Sequence, residues 1–109
     1  MRTLKFVVEG QSIKKKSDCD FSGLVSGSEN YLKAKFLFSV EWHGCKKAAS
    51  FWLGSGENAK EYGVLLDDFD SCMIPAEVLT AEQFKVSVTG VKKLYKITTN
   101  QTKVRQEVY

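Results

Sequence analysis

The chain has 109 residues, of which 43% are hydrophobic and 27% charged, with a formal net charge of +3 from 16 basic and 13 acidic residues. That size and balance fit one globular domain spanning residues 1–109. They disfavour a dedicated nucleic-acid binder, which carries a stronger basic excess, and no apolar run approaches the roughly 20 residues that cross a bilayer.

The segment "TLKFVVE" (3–9) alternates Leu4, Phe6 and Val8 against Thr3, Lys5 and Glu9, the period of a half-buried strand. Its basic start and short apolar part fall short of a signal peptide, so synthesis in the cytoplasm is expected. Residues 10–30, "GQSIKKKSDCDFSGLVSGSEN", are rich in Gly, Ser, Asp and Lys and read as a long polar loop, with room for a short strand at 21–25. "YLKAKFLFSVEW" (31–42) puts Leu32, Ala34, Phe36, Phe38, Val40 and Trp42 on one face and Tyr31, Lys33, Lys35, Leu37, Ser39 and Glu41 on the other. This is the strongest strand signal in the chain. "HGCKK" breaks it, and "AASFWL" (48–53) follows as the second arm of an expected hairpin.

"KEYGVLL" (60–66) reads as a strand and "DDFDS" as a turn. Pro75, just before Ala76, Glu77 and Val78, suits the first position of one helical turn. "EQFKVSVTG" alternates Phe84, Val86 and Val88 against Lys85, Ser87 and Thr89, and "LYKITTN" and "TKVRQEVY" close the chain around a tight connection at Asn100–Gln101. The pattern predicts an all-β fold: an antiparallel, immunoglobulin-like β-sandwich of seven or eight strands with one short helical turn. Phe6, Phe36, Phe38, Phe51, Phe84, Val86 and Ile97 are its expected core.

Reactive constellations are sparse. Cys19, Cys45 and Cys72 are odd in number, widely spaced and without a CxxC, which opposes a zinc site or a disulfide framework. Cys72, beside Ile74, is expected to be a buried, inert thiol, and Cys45, in a turn, the first to react. His43, the single histidine, lies two residues from Cys45, too close along a tight turn for nucleophile and base to align. "DDFD" (67–70) lacks the spacing of a calcium loop. No phosphate-binding, zinc-protease or nucleophile-elbow motif occurs. No catalytic, cofactor or metal residues are assigned, and the chain is read as non-enzymatic.

Three stretches in order carry a resemblance: Phe36, Phe38, Ser39, Glu41, Trp42, Gly44, Lys47, Ala49 and Phe51; Leu65–Asp67 with Cys72, Ile74, Pro75 and Glu77–Leu79; and Phe84, Val86–Val88, Gly90 and Ile97–Asn100. Across about residues 27–104 the chain resembles a small β-domain of virion proteins in tailed phages of Gram-positive bacteria. The resemblance implies a decoration, head-fibre or tail and baseplate attachment domain, located in the virion. Its partners would be other capsid or tail proteins, or further copies of itself in a symmetric oligomer. Such domains often begin longer chains; this sequence ends at Tyr109, so a stand-alone decoration protein or a fragment is expected. The resemblance also implies a tight corner at Trp42 and Gly44. The alternatives are a phage-encoded inhibitor that masks a host or defence protein, and a single-stranded nucleic-acid-binding β-domain. The expected partner surface comprises Ile13, Lys14, Lys15, Lys16 and Phe21 of the 10–30 loop with Tyr31 and Leu37 of the following strand. Phe21 and Leu37 are expected to face outward.

Overall fold

The computed structural model describes all residues, 1–109. The chain is all-β, with nine strands in two sheets where seven or eight are expected, the extra ones being short. The nine are β1 (Arg2–Glu9), β2 (Ser12–Lys15), β3 (Leu32–Phe38), β4 (Lys46–Leu53), β5 (Lys60–Leu65), β6 (Ser71–Met73), β7 (Gln83–Lys92), β8 (Tyr95–Thr98) and β9 (Thr102–Arg105). The first sheet has the order β2-β1-β3-β6 and the second β5-β4-β7-β8, with β9 also on β7. Three short 3-10 turns join strands, where the sequence suggests one: Val40–Trp42, Gly56–Asn58 and Val78–Thr80. Nowhere is a helix long and apolar enough to cross a membrane.

Three expectations are corrected. First, the pairing is not wholly antiparallel. β1 and β3 run parallel, with Phe6 beside Phe36 and Lys5 beside Lys35. Second, residues 10–30 are not all loop. Gly10, at φ +55, closes a two-residue turn after which β2 pairs back on β1, Val8 opposite Ile13. The rest of the segment holds one isolated bridge, Val25 to Glu107, rather than a strand at 21–25. It is anchored by the Arg2 guanidinium, which donates to the carbonyls of Asp20 (2.9 Å) and Ser22 (2.6 Å).

Third, β3 and β4 do not form a hairpin. Ser39 makes the last ladder bond, its amide donating to the Val8 carbonyl (2.9 Å) while its hydroxyl accepts from the Gly10 amide (3.1 Å), and the 3-10 turn that follows ends the strand. Val40 is therefore 74% exposed, although its strand phase would bury it. The turn carries the chain into the second sheet, where β4 pairs with β5 and β7 instead. Trp42 sits fully buried at this corner and its indole donates to the Gly10 carbonyl (2.8 Å). A Cβ at Gly90 would lie 2.8 Å from the Trp42 ring, so only glycine fits there.

The two sheets share one core of 19 buried apolar residues. Phe6, Phe36, Phe51, Phe84 and Val86 are buried as expected, while Phe38 and Ile97 are half-buried against its rim. Phe6 stacks on Phe36 (5.3 Å), Phe36 meets Phe38 (6.1 Å), and Phe38 meets Trp42 (5.0 Å). Phe6, Phe36 and Phe38 thus form a ladder of rings along the inside of the first sheet that ends on Trp42 at the corner.

Candidate functional site: the outer face of the first sheet

Strand alternation sends Leu4, Phe6, Val8, Leu32, Ala34 and Phe36 inward, so Lys5, Val7, Lys33, Lys35 and Leu37 point outward. Register then sets these outward residues side by side. Lys16, Lys5 and Lys35 lie abreast across three strands, since Lys16 donates its amide to the Lys5 carbonyl and Lys5 pairs with Lys35. The next row is Lys14, Val7 and Leu37, and the row on the other side runs through Thr3, Lys33 and Met73. Tyr31 continues the face beyond β3 at 48% exposure, and Leu37 is 40% exposed within it.

Like charges directly opposite one another cost stability in a sheet. The acids that relieve this row stand at its margins. Asp18 pairs with Lys16, and that hydrogen bond, with its attraction, holds the carboxyl below its ordinary value of 3.8. Asp67 is also held low, first by the Phe69 amide, with Ser71 and the charges of Lys33 and Lys35 adding to it. Lys35 donates to the Phe69 carbonyl. Lys5 and Lys14 form no salt bridge, though the charge of Lys5 acts on Asp18 and Glu9 lines one shallow pocket with Lys14.

The expected contact residues divide between two sides of the sheet. Lys14, Lys16, Tyr31 and Leu37 share the outer face. Ile13 does not: it is 2% exposed, its amide held by the Asn100 side chain (2.9 Å), because its strand phase faces the core. Phe21 is also corrected. It is half-buried and packs edge-on against Phe6 (5.5 Å), closing the open side of the core. Lys15 leans over that ring, 5.5 Å from its centre, so it belongs to the lid and not to the outer face. Lys5, Val7, Lys33 and Lys35 were absent from the expected surface. Their outward phase is legible in the alternation; the parallel β1–β3 pairing that unites them is not.

Elsewhere the polar groups are tied up locally. An open cleft of about 480 Å³ runs beside Gly44–Lys47 and Leu65–Asp68, but its Lys47 is bound to Asp70 (2.9 Å). Cys45 donates to the Tyr95 hydroxyl (3.9 Å), which donates to the Glu41 carbonyl (2.6 Å), and the side chain of His43 is exposed nearby. Burial and that thiol contact raise Tyr95 above its ordinary value. Cys72 is buried, which pushes its thiol up to about 12. No group of three or more His, Cys, Asp or Glu side chains gathers as a metal site would.

No protein-family model, no curated protein and no solved structure matches the chain.

Proposed function

We propose that this chain is a non-enzymatic bacteriophage structural protein: a virion decoration, head-fibre or tail and baseplate attachment domain that binds its partner through the outer face of the first sheet and assembles as a symmetric oligomer. The observation that carries the reading is the Lys16–Lys5–Lys35 row with Leu37 and Val7 beside it. Lys16 is met by Asp18 and Lys35 by the Phe69 carbonyl, so Lys5, with like charges on both sides, is the cation that an acidic surface would relieve most. The apolar pair in the adjoining row supplies the desolvated patch that a protein interface uses. The motif resemblance supplies the class of partner. The immunoglobulin-like sandwich belongs to the same proposal, with the parallel β1–β3 pair as its departure from an antiparallel plan. The site of action is the virion after synthesis in the host cytoplasm.

The test is a mass-spectrometric inventory of purified particles assembled from the genome that carries this chain. The chain should be present at a copy number set by particle symmetry. Its absence would remove the structural reading and favour the inhibitor.

A second reading draws on the same lysines, since a cationic row also meets a phosphate backbone. Its aromatic component is thin, because Tyr31, with Phe69 exposed at the margin beside Lys35, is what the face offers and base stacking needs several rings in line. Titration with a single-stranded oligonucleotide should give no saturable, salt-dependent complex; such a complex would promote this reading above the first.

A further inference from the structure

Each sheet ends in open edges, and most of them are blunted. β2 carries Lys14 and Lys15, β6 has three residues, and the β8–β9 side is broken at 99–101 and bears Lys96, Lys103 and Arg105. Lysines, short strands and interruptions are the usual defences against strand addition. β5 is the least defended: its charges, Lys60 and Glu61, stand at its start, and Tyr62–Leu65 carries none. Its six residues pair with β4 on one side alone.

The ladder fixes which groups it offers. Leu66 donates its amide to the Lys47 carbonyl, so residues 60, 62 and 64 turn their backbone groups toward β4. Glu61, Gly63 and Leu65 therefore turn theirs outward. Leu65 is 76% exposed, and a side chain at Gly63 would meet nothing within 4 Å. Gly63 also has no positive φ to require glycine. A mid-strand glycine with neither cause leaves this edge without a side chain at its centre, as where another backbone or a ligand comes close.

We propose that the β5 edge pairs antiparallel with the β5 edge of a second copy, two-fold about Gly63, joining the second sheets of both into one. The sequence of the strand favours its own copy as occupant. Antiparallel pairing in this register sets Lys60 of each strand opposite Leu66 of the other, beside Asp67 and Asp68, while Glu61 meets the uncharged Leu65. In this register Gly63 faces Gly63, Tyr62 lies against Val64, an aromatic and β-branched pair made twice, and Leu65 lies opposite Glu61. The inference deepens the self-association proposed above and rests on that part of it. The lysine face is on the other sheet and stays free.

The test is sedimentation of the purified chain across a concentration series, with amide exchange read residue by residue. The expected result is a dimer of twice the 12.3 kDa chain mass, with the amides of Glu61, Gly63 and Leu65 protected only at dimer-forming concentrations. Leu65→Glu, which sets like charges opposite Glu61, should weaken the dimer by about tenfold or more, whereas Leu65→Lys should leave it intact or tighten it. Gly63→Pro should abolish it by removing an outward N–H; if that variant misfolds, the two changes at exposed Leu65 still decide. A monomer at every concentration with those amides unprotected overturns the proposal, and this is also the result if β5 takes a strand from a different protein. A dimer indifferent to both Leu65 changes uses another surface and overturns it too. Particle uptake by a monomer would sink this edge and leave the particle reading standing; a dimer of this register that is never taken up would do the reverse.

Discussion

The two sheets back onto one core, yet they present different outer faces. On the first, lysines stand in adjoining rows with Leu37 and Val7 among them, and the neutralising acids lie at the flanks. On the second, the middle of the face is satisfied from within. Ser50 donates to Glu61, and the Trp52 indole donates to Ser87 (2.9 Å), leaving both serines buried. Its cations stand at the ends of that neutral floor: Lys85 directly opposite Lys103 with Arg105 beyond, and Lys46 and Lys96 at the other end. The difference is one of position: the second face groups its cations around a satisfied middle, whereas the first sets three abreast across its strands with apolar residues in the next row.

The largest effect should come where the sheets are joined. Trp42→Ala would leave a cavity touching Phe38 and Gly90 and remove the bond to the Gly10 carbonyl. A loss of about 3–5 kcal/mol in chemical denaturation is expected, the range for a buried aromatic. A loss under about 1 kcal/mol would mean that the corner does not hold the sheets together.

A paired measurement then separates lid from core. Phe51→Ala in the second sheet should cost about 3–5 kcal/mol. Phe21→Ala should cost roughly half as much, because Phe21 is half-buried over the edge of the first. Equal losses would show the 17–30 segment to be as integral as a strand.

Much of this was legible in the residues, and the misses have physical causes. Alternation in 3–9, 31–38 and 83–88 placed the inward rings correctly, since a strand's period forces the assignment. β2 was hidden because Ile13 is its one apolar residue, too few to show a period. Val40 and Trp42 kept strand phase on paper, but the chain turns into a 3-10 turn after Ser39, closed by the Trp42 amide on the Ser39 carbonyl (3.1 Å). Which strands are neighbours depends on contacts far apart in sequence, and the lysine face exists only because β1 lies beside β3. The β5 edge was readable as a strand, but that its far side is open was not.

Acid should act on the first sheet's flanks before the second. Asp18, Asp20 and Asp67 are all held below their ordinary value of 3.8, Asp20 chiefly by the Ser22 hydroxyl and amide. A depressed carboxylate contributes stability that is present above its unfolded value and lost as pH falls through its folded value. An NMR titration should therefore show the amides of Ser22, Phe69 and Ser71 moving below pH 3.8 while β4 and β7 hold. The thiols give a smaller test. Cys72 should be the last to label in the native state, after the half-buried Cys19 and Cys45.

The smallest stability change bears on the lysine row itself. Lys5→Thr should raise stability by about 0.5 kcal/mol by ending two like-charge contacts, while Lys96→Thr, opposite Val91, should give no such gain. The most direct measurement of the central claim is copy number in purified particles for the native chain and for a Lys33→Glu, Lys35→Glu, Leu37→Ser variant that keeps its native circular dichroism. The account predicts the native chain at a symmetry-set copy number and the variant missing from particles; a variant incorporated at the native copy number would contradict it.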